Sequence, residues 1–155
     1  MAWASSAPDA IAALVQCLQG APGLEGVKVY DGPVVDGSNP AEALTVAYNP
    51  EDGSAVEGQM SRDGLPVAPS LEQYTIQCSA AVTNGNNNAP AVQMVRSRAF
   101  ALLAAVGAAL AADPRLGGVV GMAQVGAWTL SHTQNGSGVV AVLGFAVDIE
   151  AFTKR

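Results

Sequence analysis

The spacing of apolar positions predicts a first helix that begins after Ser6 and ends at Gly20. Ser6 places a hydroxyl at the N-cap, Pro8 lies in the first turn, and Asp9 follows Ser6 by three positions. Gly20 is a typical residue for a helix C-terminus. Four apolar residues recur at the helical spacing i, i+3, i+4 and i+7: Ile11, Leu14, Val15 and Leu18.

A second, longer helix is predicted over residues 90–112. It should end before Pro114, because a proline disfavours the α conformation of the residue that precedes it. The other side of this helix is also apolar, since no charged residue lies between Arg98 and Asp113. Seven residues form its core stripe: Val92, Val95, Ala99, Leu102, Leu103, Val106 and Leu110.

Three strands are predicted between the two helices. Residues 26–30 form the first and residues 43–48 the second. The first stops at Pro33, which has no N–H to donate to a sheet. The third strand, residues 71–83, shows regular alternation of apolar and polar side chains. Residues 49–70 have no sustained period and are rich in Pro and Gly, so they are predicted to form a long loop.

Two further strands follow the second helix, at about residues 118–131 and 138–152. The Asn-Gly pair between them is typical of a hairpin turn. The last strand is apolar on both sides from Val139 to Val147. A strand of this kind is covered on both faces. A neighbouring subunit could cover the second face, but we expect one helix on each side of the sheet.

The order of these elements predicts the fold class. It is an α+β fold with the order α-β-β-β-α-β-β, a mostly antiparallel sheet flanked by two helices. No internal repeat or linker divides the chain, so residues 1–155 form a single domain. Two extended loops are expected, at about residues 31–42 and 49–70.

Composition and charge narrow the functional classes. Half of the residues are hydrophobic and 13% are charged, about half the usual charged share. The net charge is −6, and ten of the thirteen acidic residues lie in residues 1–72. Without a cluster of Lys and Arg, sequence-specific nucleic-acid binding is not expected.

The cysteines and the apolar segments indicate a cytoplasmic product. Cys17 and Cys78 lie far apart without a CxxC motif, which favours two reduced thiols over a structural disulfide. The N-terminal segment lacks a basic region and carries Asp9, unlike a signal peptide. The stretch Ala99–Ala112 has 14 residues, fewer than the ~20 that a bilayer span needs, so no membrane association is expected.

Catalytic motifs are missing from the sequence. It contains one histidine, His132, and no HExxH, GxSxG or GxxxxGK[ST] motif. Glu51, Asp52 and Glu57 cluster in the 49–70 segment, but they lack the order of a calcium loop. The chain is therefore expected to have no catalytic residues, no metal site and no cofactor, and not to be an enzyme.

The apolar outer side of the second helix has two interpretations. Small side chains there allow another backbone to approach closely, which favours a subunit interface. Alanine enrichment from a biased genome composition explains the same pattern. The interface interpretation selects five residues of this helix: Met94, Arg98, Ala101, Ala105 and Ala108.

Taken in order, several segments resemble the tail terminator (tail completion) proteins of long-tailed, non-contractile bacteriophages, especially actinobacterial ones. They are VKVYDGPVV, an acidic loop-rich middle, YTIQCSAAV, VRSRAFALLAAVGAALAADPRLGG and the final VVAVLGFAVDIEAFT. The resemblance covers almost the whole chain. It is strongest at Ala99–Leu103 and at Asp113-Pro114.

The resemblance implies a structural protein of the virion neck, made in the host cytoplasm. Six copies would form a ring that caps the tail tube, ends its polymerisation and joins the head connector. Its partners would be other copies of itself, the tail tube protein, the connector or neck protein, and DNA that passes through the lumen without sequence-specific binding. Five residues of the 49–70 loop, four acidic and one basic, are expected to contact the tube or to face the lumen: Glu51, Asp52, Glu57, Arg62 and Asp63.

Two other functions remain open from the residues. Another ring-forming neck or head–tail connector protein of the same particle would share the small α+β domain and loop-mediated contacts. A small non-viral hydrolase or ligand-binding domain would use the 49–70 segment as a lid, over a pocket that converges on His132 or Glu51.

Overall fold

The computed structural model describes residues 4–35, 37, 39–61, 70–136 and 138–153. It confirms the α+β fold. Two helices and one short 3-10 helix accompany a six-stranded, mostly antiparallel sheet. In chain order the elements are α1 (Ala7–Gln19), β1 (Lys28–Asp31), β2 (Glu42–Val46), β3 (Val56–Ser61), β4 (Leu71–Asn84), α2 (Ala89–Ala112), the 3-10 helix (Leu116–Gly118), β5 (Met122–Asn135) and β6 (Gly138–Phe152).

The sheet has the strand order β1-β2-β4-β6-β5, and β3 also pairs with β4. β1 is parallel to β2, and every other pairing is antiparallel. The prediction of one continuous loop over residues 49–70 is wrong, because β3 forms a strand within it. Residues 62–69 of that loop, with Arg62 and Asp63, lie outside the described residues.

β2 and β3 lie end to end along the same edge of β4. Val46 is opposite Cys78 and Val56 is opposite Ile76, so only Gln77 separates the two pairings. Gln77 bonds to both flanks of the gap, since its carbonyl accepts from Tyr48 N–H and its N–H donates to the Ala55 carbonyl. Residues 47–55 are therefore an excursion from one interrupted edge strand, which we call the excursion loop.

Both helices pack on the same face of the sheet, which we call the helix face. Their buried residues join one hydrophobic cluster with Leu44 of β2, Ile76 of β4 and Phe145 of β6. The expectation of one helix on each side is wrong. The second apolar side of β6, from Val140 to Ala146, belongs to the opposite face, where the excursion loop lies and the described residues include no helix.

The N-terminus of α1 is held by a buried polar cluster. Ser6 is the N-cap, but its hydroxyl does not cap the helix. Instead, Ser6 N–H and the Ser6 hydroxyl donate to Glu72 Oε1 at 2.8 and 3.0 Å, and Ser5 donates to Oε2 at 2.6 Å. The Tyr74 hydroxyl lies 2.8 Å from Ser6 Oγ. We call this cluster the Glu72 clasp, and it takes the place of the N-cap hydrogen bond expected from the Ser6 hydroxyl.

Helix α2 matches its predicted bounds closely. Asn88 is its N-cap and accepts from Ala91 N–H, and the helix ends at Ala112 before Pro114. Among the described residues, α2 is long and apolar enough to cross a membrane by length and composition. The uncharged stretch Ala99–Ala112 is 14 residues of this 24-residue helix, which also includes Arg96 and Arg98. Six side chains are buried on the sheet, as in a core helix: Ala91, Val95, Ala99, Leu102, Val106 and Leu110.

Both cysteines are free thiols, in agreement with the sequence interpretation. Burial raises the pKa of Cys78 to about 12, whereas Cys17 is only half-buried. Because the thiolate is the reactive form, we expect Cys78 to resist a water-soluble disulfide reagent in the native state and to react on unfolding. Counting reactive thiols with and without denaturant checks this. Two fast-reacting thiols in the native protein would contradict the buried position of Cys78.

Candidate assembly surfaces

The face opposite the helices carries a polar groove, which we call the outer groove. It has a volume of about 530 Å³ and crosses strands β3 to β5. Two carboxylates of β6 accept hydrogen bonds from side chains of the adjacent strand β4: Thr75 donates to Asp148 at 3.2 Å, and Gln73 donates to Glu150 at 3.3 Å. Glu57 of β3 lines the same groove. The groove is therefore acidic and rich in amide side chains, and no basic side chain lines it.

The backbone is adapted to the carboxylate of Asp148. A Cβ placed on Gly126 would lie 2.3 Å from Asp148 Oδ2, so a larger residue there would displace the carboxylate. Gly126 lies in a β-bulge, because the β5–β6 register shifts between Val125 and Trp128. The position of Asp148 thus depends on a glycine in the adjacent strand.

The excursion loop is folded back onto this outer face by its own hydrogen bonds. Asn49 N–H donates to the Ser54 carbonyl at 2.9 Å and closes the loop. Ser131 of β5 donates to Glu51, which ties the loop across the sheet. Hydrogen bonds from the N–H and hydroxyl of Ser54 lower the pKa of Asp52. The loop is thus an ordered, acidic projection.

The predicted tube or lumen contacts that the structure describes do not form one cluster. Glu51 and Asp52 lie in the excursion loop, and Glu57 lies on β3 beside the outer groove. Among the described residues, no group of three or more His, Cys, Asp or Glu side chains is placed to hold a metal ion. Arg62 and Asp63 lie outside the described residues, so their predicted role stays a prediction.

The five predicted interface residues of α2 differ in their surroundings. Met94 is 62% exposed, and Ala101 and Ala108 are also exposed. Ala105 is half-buried against its own chain, because a Cβ placed on Gly23 would lie 3.2 Å from the Ala105 Cβ. Arg98 is half-buried as well. The exposed part of the predicted interface is thus smaller than the five residues.

Arg98 forms an ion pair with Glu42 at the start of β2. The hydrogen bond to Glu42 is the main reason why the pKa of Arg98 is raised. Next to this pair lies a mainly apolar groove of about 850 Å³, lined by Val82, Met94 and Val95 among others. Arg98 therefore stabilises its own chain and also borders an exposed apolar surface.

Three strands have one edge that pairs with no other described strand. β1 pairs only with β2, β3 only with β4, and β5 only with β6. β5 carries no acidic or basic residue except His132, so its edge lacks the charges that usually prevent pairing with another chain. Sequence reasoning missed Trp128 on this edge, which is 54% exposed and packs edge-to-face on Phe100 of α2 at 5.1 Å.

His132 and Glu51 of the excursion loop do not line a common pocket among those described here for the described residues. His132 is exposed on β5, and its alignment with Ala141 places it on the helix face. Glu51 is held by Ser131, whose side chain points to the opposite face. Neither His132 nor Glu51 lines the outer groove or the mainly apolar groove beside Arg98 and Glu42. The convergence that a hydrolase would need is not found at these positions.

Comparison with known proteins adds no family assignment: no protein-family model matches the chain, and a search of curated proteins finds no significant match.

Proposed function

We propose that this chain is a tail terminator: a structural subunit that forms a ring, which is hexameric, on the tail tube of a long-tailed, non-contractile bacteriophage. The ring ends tube polymerisation and joins the tail to the head connector. The observation that carries the proposal is the ordered resemblance of the segments from residue 27 to residue 153. No cofactor or catalytic group takes part in this role.

The surfaces of the molecule support an assembly role. A protein with few charges exposes Met94, Trp128 and Phe152 by more than half of their surface. The outer edges of β1, β3 and β5 lack a strand partner among the described residues, and the outer face carries no described helix. Surfaces of this kind are covered when subunits associate. Within the ring, the exposed side of α2 and the open edges would contact neighbouring subunits.

The test is native mass spectrometry of the purified chain at low and high micromolar concentration, with negative-stain imaging of the same samples. A six-fold ring supports the proposal. A tight dimer at every concentration contradicts it and favours the ligand-binding interpretation. Imaging of assembled particles tests the other neck role. If the chain is incorporated only at the connector side, and tube length in that particle is unregulated, another neck protein is favoured.

The acidic surface has a predicted effect on DNA passage, provided that it faces the lumen. Each copy carries a net charge of −6, and acidic walls repel DNA phosphates and let DNA slide. We expect lysine at Asp52, Glu57 and Asp63 to slow DNA ejection by about tenfold. Fluorescence measurement of ejection from assembled particles checks this.

The control is Gln16→Lys, which adds a positive charge at an exposed position of α1, away from the excursion loop and β3. It should leave the ejection rate unchanged. Wild-type kinetics from particles that carry the triple variant would show that these acids do not face the DNA.

A further inference from the structure

The open edge of β3 lies next to an unfilled strand position in the sheet. β1 runs parallel to β2 and ends at Asp31, where Gly32 N–H still donates to the Val46 carbonyl. β3 continues the line of β2, but the chain of β1 does not continue beside β3. Gly32, with φ of 83°, and Pro33 turn it out of the sheet. No other described strand therefore lies beside Val56–Ser61 on its outer edge.

This position has the chemistry of a binding site for an extended chain. Alternate residues of an antiparallel strand direct their N–H and C=O groups to opposite sides, so half of the β3 groups face the open edge. β-Strand addition uses such groups for affinity and side-chain pockets for specificity. On the helix face, a pocket of about 250 Å³ lies beside the strand. Most of its surface is apolar, from residues such as Ala7, Val56 and Met60, and Ser5, Gln59 and Glu72 also line it.

Gly58 keeps this pocket open. It lies opposite Tyr74, and a Cβ on Gly58 would lie 2.5 Å from the Tyr74 Cβ. The strand therefore has no side chain at the centre of the pocket. An apolar cavity of ~150 Å³ holds a benzene molecule, so this pocket accommodates the side chain of a valine.

The segment that leaves β1 has a residue that fits this pocket. Asp31 pairs with Val46, which pairs with Cys78 of β4. Gly58 pairs with Tyr74, which lies four residues before Cys78 on β4. Val35 lies four residues after Asp31, so a chain that continued the β1 register would place Val35 beside Gly58 on the helix face. In this structure Val35 is 87% exposed, more than any other large hydrophobic side chain that the structure describes.

We propose that Pro33–Val35 of one copy adds a strand beside β3 of a neighbouring copy, with Val35 in the Gly58 pocket. This contact rests on the proposed ring, in which each subunit donates one segment and receives another. The contact is heterologous, and such contacts generate rings when the rotation closes. It joins two features that each copy leaves open: an exposed apolar residue and an unpaired strand edge.

The first test compares Val35→Ser with Val34→Ser. In the proposed register Val34 lies beside Glu57 on the outer face, whereas Val35 fills the pocket. We expect Val35→Ser to weaken self-association by about tenfold and Val34→Ser to change it little. Both residues are exposed, so both variants should fold, and sedimentation velocity over a concentration series measures the difference. Equal effects of the two substitutions would overturn the proposal.

The second test is disulfide formation between Val34→Cys and Glu57→Cys, which are directly opposite in the proposed register. Adjacent strands lie ~4.8 Å apart, within the range that a disulfide bridges. The background carries Cys17→Ser, and the control pairs Val34→Cys with Thr133→Cys on the opposite edge of the sheet. When two chains with one substitution each are mixed, the proposal predicts a disulfide-linked dimer for the test pair only.

The outcomes separate the contact from the ring. If the mixed chains form the disulfide-linked dimer but no six-fold ring, the strand addition is supported and the proposed ring is contradicted. A ring in which the test pair does not link overturns the strand addition and leaves the ring. A chain carrying both substitutions that forms only an internal disulfide also overturns the proposal, because the segment then closes onto its own β3.

Discussion

Glu72→Ala is expected to destabilise the protein by about 3 kcal/mol, because it leaves several buried donors without an acceptor. Glu72 is 4% exposed and Ser6 is fully buried, so water does not replace the lost hydrogen bonds. The two oxygens of Glu72 accept from Ser5, from Ser6 N–H and from the Ser6 hydroxyl. Urea denaturation followed by circular dichroism measures the change in the free energy of unfolding.

The loss of stability in Glu72→Ala should affect the packing of α1 as well as the clasp. The clasp joins the first turn of α1 to β4, and α1 covers the core with Ala10, Leu14 and Leu18. Glu72→Gln keeps the shape and one acceptor oxygen, so it should cost less than Glu72→Ala. Glu57→Ala removes an exposed carboxylate from β3 and should change stability by less than about 0.5 kcal/mol. If Glu72→Ala were as mild as this control, the clasp would not stabilise the fold.

Ala101→Glu combined with Ala108→Glu is expected to prevent ring formation while the subunit still folds. The two residues lie seven positions apart on the same exposed side of α2. An unpaired charge buried in an interface costs about 2–5 kcal/mol, so self-association should weaken by at least ~100-fold. Alanine and glutamate both favour helices, and the free energy of unfolding of the monomer should change little.

Ala12→Glu is the matched control for this variant. Ala12 is an exposed alanine on α1, so the substitution makes the same exchange, alanine to glutamate, once on a helix outside the proposed interface. Native mass spectrometry should show rings for Ala12→Glu and monomers for the double variant. Rings of normal stability from the double variant would remove the exposed side of α2 from the interface and leave the β3 edge as the contact.

The two proposed contact regions lie in different parts of the molecule. Met94, Ala101 and Ala108 lie on the outer side of α2, and β3 is at an edge of the sheet that pairs only with β4 in the described chain. Substitutions in the two regions share no contact partner in the structure, so their effects on association should add. A combined variant therefore tests whether both regions act in the same assembly.

The sequence by itself determined the elements with strong local periodicity. The alternation in β4, the stripe of α2 and the Asn-Gly turn between β5 and β6 each predicted an element close to its observed bounds. These signals suffice because each face of such an element has one environment along its whole length. The exposed side of α2 was also visible, since no charge occurs from Ala99 to Ala112.

Only the tertiary structure decided where these elements meet. Val56–Ser61 alternates weakly and is wholly exposed, and it becomes a strand because β4 supplies its hydrogen-bond partners. The two apolar sides of β6 did not indicate that both helices share one face. The clasp joins Ser6 to Glu72 and the excursion loop joins Glu51 to Ser131, residues far apart in the chain. Periodicity reports the burial of a residue, whereas partners so distant are selected only when the chain closes into its sheet.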